Sequence, residues 1–267
     1  MRKPIRRVSP LIALVMMSTP VLSAHAADEP LATDRPDFVE SSDVVGRGRL
    51  QIETSIAGER QRQAGTTARL SSTPTLLRIG ISDSLELRVE TDGRLRARSS
   101  DASGVYRESG WADTAIGIKW HQRDGDEERM TPGIGWLLHV DIDSGSGPFR
   151  GDGLRPSLRM VAEWEFAGGW TAGLMPGLYQ DRDASGRYIG GILAGVVGKS
   201  FTQRLRGFIE VSGQQLTSKR HGGQATTLDT GLACLLSPDL QIDIAASRGL
   251  STAAPDFGWT LGLSARF

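Results

Sequence analysis

The residues able to do chemistry are few and poorly placed for it. Beyond the first 26 residues three histidines remain, His121, His139 and His221. A lipid hydrolase embedded in a membrane wall needs a Ser and a His together on its outer face, with a polar group orienting the ring. His139 alternates onto the same polar face as Asp141, and no outward Ser adjoins it. His121 ends an apolar-alternating stretch beside a charged turn, and His221 lies in the polar loop Lys219–Gly223. Glu163 and Glu165 share a face, as an acid–base pair would, but Arg159 shares it too, which reads as ionic lining. Gly145-Ser146-Gly147 and Gly151-Asp152-Gly153 precede no helix, so they are turns rather than a phosphate cradle. Asp141, Asp143 and Asp152 are the one weak candidate for a cation. The single cysteine, Cys234, excludes an intramolecular disulfide and any Cys-rich metal site. No catalytic residue, metal or cofactor is expected.

What must position such residues is a series of strands. From Gly48 onward apolar and polar residues alternate with period two, and Gly makes up 33 of 267 residues without a collagen period. Leu50, Ile52 and Ile56 oppose Gln51, Glu53 and Ser55. Leu77, Ile79 and Ile81 oppose Arg78, and Leu85, Leu87 and Val89 oppose Glu86, Arg88 and Glu90. Ile116, Ile118 and Trp120 oppose Lys119, and Ile134, Trp136 and Leu138 oppose His139. The pattern continues through Leu158–Glu165, Trp170–Leu178, Leu205–Ser212, Leu228–Cys234, Leu240–Ile244 and Phe257–Phe267. Tyr188–Phe201 is apolar on both faces and cannot be phased. This predicts an all-β, antiparallel up-and-down transmembrane β-barrel of about 12 strands over residues 48–267.

The links alternate in length. Ser82–Ser84, Ala167–Gly169, Thr202–Arg204 and Ser237–Asp239 are short, with a longer charged link at Asp124–Arg129. Arg60–Arg69, Arg94–Gly110, Asp143–Arg155, Gln180–Arg187, Gln214–Ala225 and Arg248–Pro255 read as long polar loops. Tight periplasmic turns facing longer extracellular loops are the asymmetry of outer-membrane barrels. A secreted β-sandwich also alternates, but twelve strands exceed its usual number and aromatics gather at strand ends. Trp120, Trp164, Phe166, Trp170, Phe201 and Phe267 fall on the turn side, and Trp111, Tyr179, Phe257 and Trp259 near the loops. Such girdles sit where bilayer meets water. Trp136, mid-strand, does not fit.

The N-terminus reads as an export signal: a basic MRKPIRR, a short apolar LIALVMM, and Ala24-His25-Ala26 for cleavage. Residues 1–26 are therefore expected to be removed. The remainder carries 27 basic and 31 acidic side chains, which excludes a broadly basic nucleic-acid surface. Residues 27–47 precede the first strand and are either a periplasmic leader or a segment that plugs the lumen.

The stretch Thr33-Asp34-Arg35-Pro36-Asp37-Phe38-Val39-Glu40, with Gly48-Arg49-Leu50-Gln51-Ile52-Glu53, Thr73-Pro74-Thr75-Leu76-Leu77-Arg78 and Leu85-Glu86-Leu87-Arg88, resembles a family of outer-membrane transporters labelled the meta-pathway phenol-degradation (MetA-type) family. The resemblance covers nearly all of the chain after residue 26. It implies a channel-like role and an association with aromatic catabolism, without fixing a substrate. The terminal Phe267 is similar to the signal read by the barrel-assembly machinery of Gram-negative bacteria, which with outer-membrane lipid and a small solute makes up the expected partners.

A lumen follows from the phasing. Glu53, Arg78, Glu86, Arg88, Glu90, Lys119, Arg206 and Glu210 face inward as a ladder of mixed charge, while Leu137, Val161, Met175 and Tyr179 form an inward apolar strip. Such a strip must be covered, by the N-terminal segment or by a partly apolar solute. The function expected is an outer-membrane channel or transporter for small solutes, aromatic or apolar ones among them. The alternative is a structural or surface-interaction barrel with a filled lumen. In cell fractionation the protein is expected with the outer membranes, migrating faster on gels before boiling than after, because a closed hydrogen-bonded barrel resists detergent; recovery from the soluble periplasm overturns the barrel.

Overall fold

The computed structural model describes residues 30–267; the export signal expected at 1–26 lies outside the described residues. Fifteen strands follow in chain order: β1 (Leu50–Gln63), β2 (Thr66–Ser72), β3 (Thr75–Gly80), β4 (Leu85–Thr91), β5 (Arg94–Asp101), β6 (Gly104–Trp111), β7 (Thr114–Arg123), β8 (Gly133–Ile142), β9 (Arg155–Phe166), β10 (Trp170–Asp183), β11 (Gly186–Ser200), β12 (Leu205–Leu216), β13 (Ala225–Ser237), β14 (Leu240–Gly249) and β15 (Phe257–Arg266). They make twelve wall positions, because β2–β3, β4–β5 and β6–β7 are each one strand bent midway. The breaks fall at Thr73–Pro74, Asp92–Gly93 and Ala112–Asp113, and they line up across the sheet. Thr73 N donates to Asp92 O at 3.0 Å and Ala112 N to Gly93 O at 2.9 Å. Pro74 has no N–H to give a ladder, and Gly93 holds φ +65°.

The wall is antiparallel throughout and closes where β1 pairs β15. Leu50 and Phe267 exchange both backbone bonds at the seam, at 3.1 and 2.7 Å. Closure leaves no edge in the wall, the condition for spanning lipid with strands. Outward side chains such as Leu87, Ile116, Leu158, Leu193, Ile209, Ile244 and Leu261 are exposed, whereas Arg78, Glu86, Lys119 and Glu53 are fully buried. The molecule is thus apolar outside and charged inside, the reverse of a soluble protein, and lipid is the solvent its outer face fits.

Four expectations change. Arg60–Arg69, Arg94–Gly110 and Gln180–Arg187 are not loops: β1–β2, β5–β6 and β10–β11 run on as strands and turn tightly at their tips. Beyond the lipid both faces of a strand are polar, so alternation vanishes while pairing continues. β1 above Ala57 with β2, β5 and β6 forms a four-stranded flap at the loop end. Its free edge on β6 is capped by Ser146, whose N donates to Trp111 O at 2.9 Å. Trp136 pairs opposite Trp120, so it belongs to the turn-side girdle. Tyr179 does not belong to the girdle; it lies inward, its ring edge-on to Tyr188 at 6.5 Å. The stretch Tyr188–Phe201 takes a phase, with Ile192, Ala194 and Val196 inside and Ile189, Leu193 and Val197 outside.

The inside-out burial fixes a test of orientation. Ile244→Arg on the outer face should cost about 2–4 kcal/mol, while Thr171→Arg, on the lumen face at the turn end, should cost less than about 1 kcal/mol. Urea unfolding in detergent micelles measures both, and equal costs would mean the faces are misassigned.

Candidate functional site

Residues 31–45 lie inside the barrel. Leu31 N donates to Pro238 O at 2.8 Å at the turn end, and Gly48 N donates to Gly80 O at 2.9 Å at the same end. Between these points the chain rises into the lumen and returns. Pro36 and the run of acidic residues prevent it from joining the sheet, so its N–H groups need other acceptors. Wall carboxylates supply them. Asp34 N donates to Glu53 at 3.0 Å, Phe38 N and Val39 N to Glu210 at 2.9 and 2.7 Å, and Val45 N to Glu86 at 2.9 Å; Ser42 N donates to Glu163. Inward glycines make room. A Cβ on Gly80 would stand 1.6 Å from Gly46 O, and one on Gly135 would stand 2.9 Å from Ser42 O.

The segment also brings charge. Asp34 accepts from Arg88 Nη1 at 2.6 Å and from Lys119 Nζ at 2.7 Å, and lies 3.5 Å from Arg78. Burial alone would raise its pKa, but Arg78, Lys119 and Arg88 together hold the carboxyl well below its usual range. Glu40 accepts from Arg88 Nη2 at 2.7 Å and from Arg159 Nη1 at 2.6 Å. The wall contributes its own pairs: Arg78 bridges Glu86 at 2.8 Å and Glu53 at 3.0 Å, and Arg88 reaches Glu86 at 2.9 Å. Further round the wall Arg206 pairs with Asp37 at 2.9 Å and Arg35 with Asp243 at 3.2 Å.

Glu53, Arg78, Glu86, Arg88 and Lys119 thus meet in one cluster, whereas Arg206 and Glu210 each hold a different part of the segment. Glu90 lines the space above the cluster. Sequence reasoning missed Arg159 and Asp243 as partners of the segment. The available signal was the alternation of signs in Asp34-Arg35-Pro36-Asp37, which complements a mixed wall.

The inward apolar side chains lie together. Leu137, Val161 and Met175 are buried together with Ile192, Ala194 and Val39, and Phe38, Tyr179 and Val196 pack against them. Val39 covers the strip, so in this arrangement no solute reaches it. A charge introduced at Met175 would be buried rather than presented to a solute.

The remaining space is divided among three cavities. A turn-end cavity of about 630 Å³ is lined by Asp37, Ser42, Glu163, Thr171 and Arg206. A loop-end cavity of about 310 Å³ is lined by Glu90, Asp92, Asp113, Asp141 and Arg155. Between them a gap of about 190 Å³ separates the segment from the wall, bordered by Pro36, Phe38, Leu76, Arg88 and Arg159. Asp37 borders both the first and the third; Glu90, Thr91 and Arg159 border both the second and the third. Bordering this gap, the Arg159 guanidinium lies 5.9 Å over the Phe38 ring.

The remaining candidates are dispersed. His139 accepts from Arg88 Nε at 3.0 Å. His121 lies 3.0 Å from Ser42 O, and His221 is 2.6 Å from Asp183 and stacked on Tyr188 at 4.1 Å. Asp143 pairs with Arg150 at 3.0 Å and Asp152 with Arg182 at 3.3 Å, so they do not converge with Asp141 on a cation. Among the described residues no group of His, Cys, Asp and Glu suits a metal ion.

A family described as "Putative MetA-pathway of phenol degradation" matches over residues 33–267. No curated protein matches the chain in sequence. Among solved structures, the COG4313 outer membrane channel from Pseudomonas putida F1 is similar at 14% identity and a TM-score of 0.63, over 87% of this chain and 99% of that one. The beta domain of the Bordetella autotransporter Brka is similar at 11% identity and 0.54, over 82% and 99%. The KdgM porin is similar at 12% identity and 0.52, over 81% and 99%. At these identities the likeness is one of fold, that of outer-membrane barrels.

The cluster makes a stability prediction. Asp34→Ala leaves the buried cluster of Arg78, Arg88 and Lys119 one negative charge short and should cost about 3–5 kcal/mol. Asp37→Ala should cost well under half as much, because its partner Arg206 is one-third exposed. Urea unfolding in micelles reads both; equal losses would show that the cluster is not the anchor.

Proposed function

Because the chain belongs to the MetA-pathway phenol-degradation family, we propose that it is an outer-membrane channel for small solutes, with phenol-like aromatics as its first candidates. The observation that carries this reading is the succession of three cavities with shared lining residues inside a closed barrel, where Phe38 of the chain's own segment faces Arg159 of the wall. The gap there suits a small amphipathic molecule. Phe38, Leu76 and Pro36 offer apolar surface to a ring, and Glu90, Arg88 and Arg159 offer polar groups to a hydroxyl. Twelve strands support this, since such a wall is too wide to be filled by its own side chains alone, as eight strands can be, and narrower than a sixteen-stranded porin. The apolar strip serves the segment rather than the solute.

On this reading the protein is exported to the outer membrane of a Gram-negative cell and inserted there by the barrel-assembly machinery through the strand ending at Phe267. Both described ends of the wall, Leu50 and Phe267, meet at the turn end, which suits insertion from the periplasm. A filled barrel that works only by its surface is the second reading, favoured by the depth to which residues 31–45 occupy the lumen.

Planar-bilayer conductance with liposome uptake of phenol separates the two. Phe38→Ala is expected to raise single-channel conductance and phenol uptake, and removal of residues 28–45 is expected to raise conductance further. Absence of conduction and uptake in the wild type and in both variants, with normal insertion, would establish the filled barrel instead.

A further inference from the structure

The flap at the loop end carries an arrangement that a channel does not need. Register places Arg60 opposite Arg69, Arg69 opposite Arg98 and Arg98 opposite Arg107, across β1, β2, β5 and β6. Four guanidinium groups therefore stand in one row, on strands spaced by about 4.8 Å. Arg62 flanks the row above, and Arg96 flanks it below. Like charges directly opposite one another destabilise a sheet, so a row of this kind calls for an anion.

The row faces outward. Arg60 and Arg62 share the parity of Ile52 and Ile56, and Arg60 pairs across the seam with Phe257 of the loop-side girdle. Glu59 and Glu108 occupy alternate positions and point to the lumen side, so they cannot neutralise the row. Among the described residues none of Arg60, Arg62, Arg69, Arg96, Arg98 and Arg107 forms a side-chain ion pair. Arg60 Nε is buried without a hydrogen-bond partner. A groove of about 240 Å³ on this face is lined by Arg62, Arg69 and Arg98 with the hydroxyl-bearing Thr67 and Ser100.

Height narrows the ligand. An arginine is costly at mid-bilayer but nearly free at the interface, and Arg94 at the base of the flap lies 5.6 Å over the girdle ring of Trp111. The row thus stands at the level of lipid headgroups in the outer leaflet. Guanidinium forks match phosphate oxygens two at a time, and hydroxyls complete such a site. We propose that the outward face of the flap binds the phosphate groups of a phosphorylated glycolipid of the outer leaflet, fixing that lipid to the barrel wall beside the channel mouth.

The test uses purified, folded protein in detergent, with lipid A carrying both phosphates as the probe and its dephosphorylated form as the control, read by native mass spectrometry. Wild-type protein should retain the phosphorylated lipid, and dephosphorylation should weaken retention about tenfold or more. Arg69→Gln with Arg98→Gln should cause a comparable loss while gel migration before boiling still reports a folded barrel. Arg107→Gln, at the edge of the row, should lose less. Millimolar inorganic phosphate should not displace the lipid. Equal retention of the two lipids by the wild type overturns the proposal, as does unchanged binding by the folded double variant. Full displacement by inorganic phosphate would reassign the face to free anions.

Discussion

A charge removed from water must find an opposite charge close by, and in this barrel the wall cannot meet that demand alone. In the central cluster the wall supplies four cations, Arg78, Arg88, Lys119 and Arg159, against two carboxylates in direct ion pairs with them, Glu53 and Glu86. Asp34 and Glu40 supply the other two. The N-terminal segment is therefore part of the folded state and not an appendage to it. Its position then decides which lumen surfaces remain free. Val39 covers the apolar strip, and the cavities are left at the turn end beside Glu163 and Arg206 and at the loop end beside Glu90 and Arg159.

Much of this was legible from the residues because membrane walls obey a period of two. The inward phases of Glu53, Arg78, Glu86, Arg88 and Lys119 needed only alternation, and the apolar strip of Leu137, Val161 and Met175 emerged from the same count. Alternation failed where one of its conditions failed. At Tyr188–Phe201 both faces are apolar, since the inner face packs under the strip while the outer meets lipid. Above the lipid both faces are polar, so β5 and β6 looked like a loop although they pair along their full length. In each case the ladder persisted and only the contrast between its faces was lost.

The contacts of the segment were beyond sequence reading for a different reason. Phe38 bonds to Glu210 and Arg35 to Asp243, partners separated by 172 and 208 residues. No local periodicity encodes such pairs. The inward glycines that admit the segment, Gly80 and Gly135 among them, were visible as glycines, but the backbone that crosses them was not.

The route of the segment has a topological consequence. It enters the lumen beside Pro238 and leaves it beside Gly80, both at the turn end, so it forms a loop with no strand of the wall passing through it. Among the described residues nothing is threaded. The loop can be seated after the seam between β1 and β15 has closed, and it can slide back out without a single bond of that seam breaking. Its hold on the barrel is then a matter of ion pairs, hydrogen bonds and the packing of Phe38 and Val39 on the apolar strip, none of which belongs to the seam.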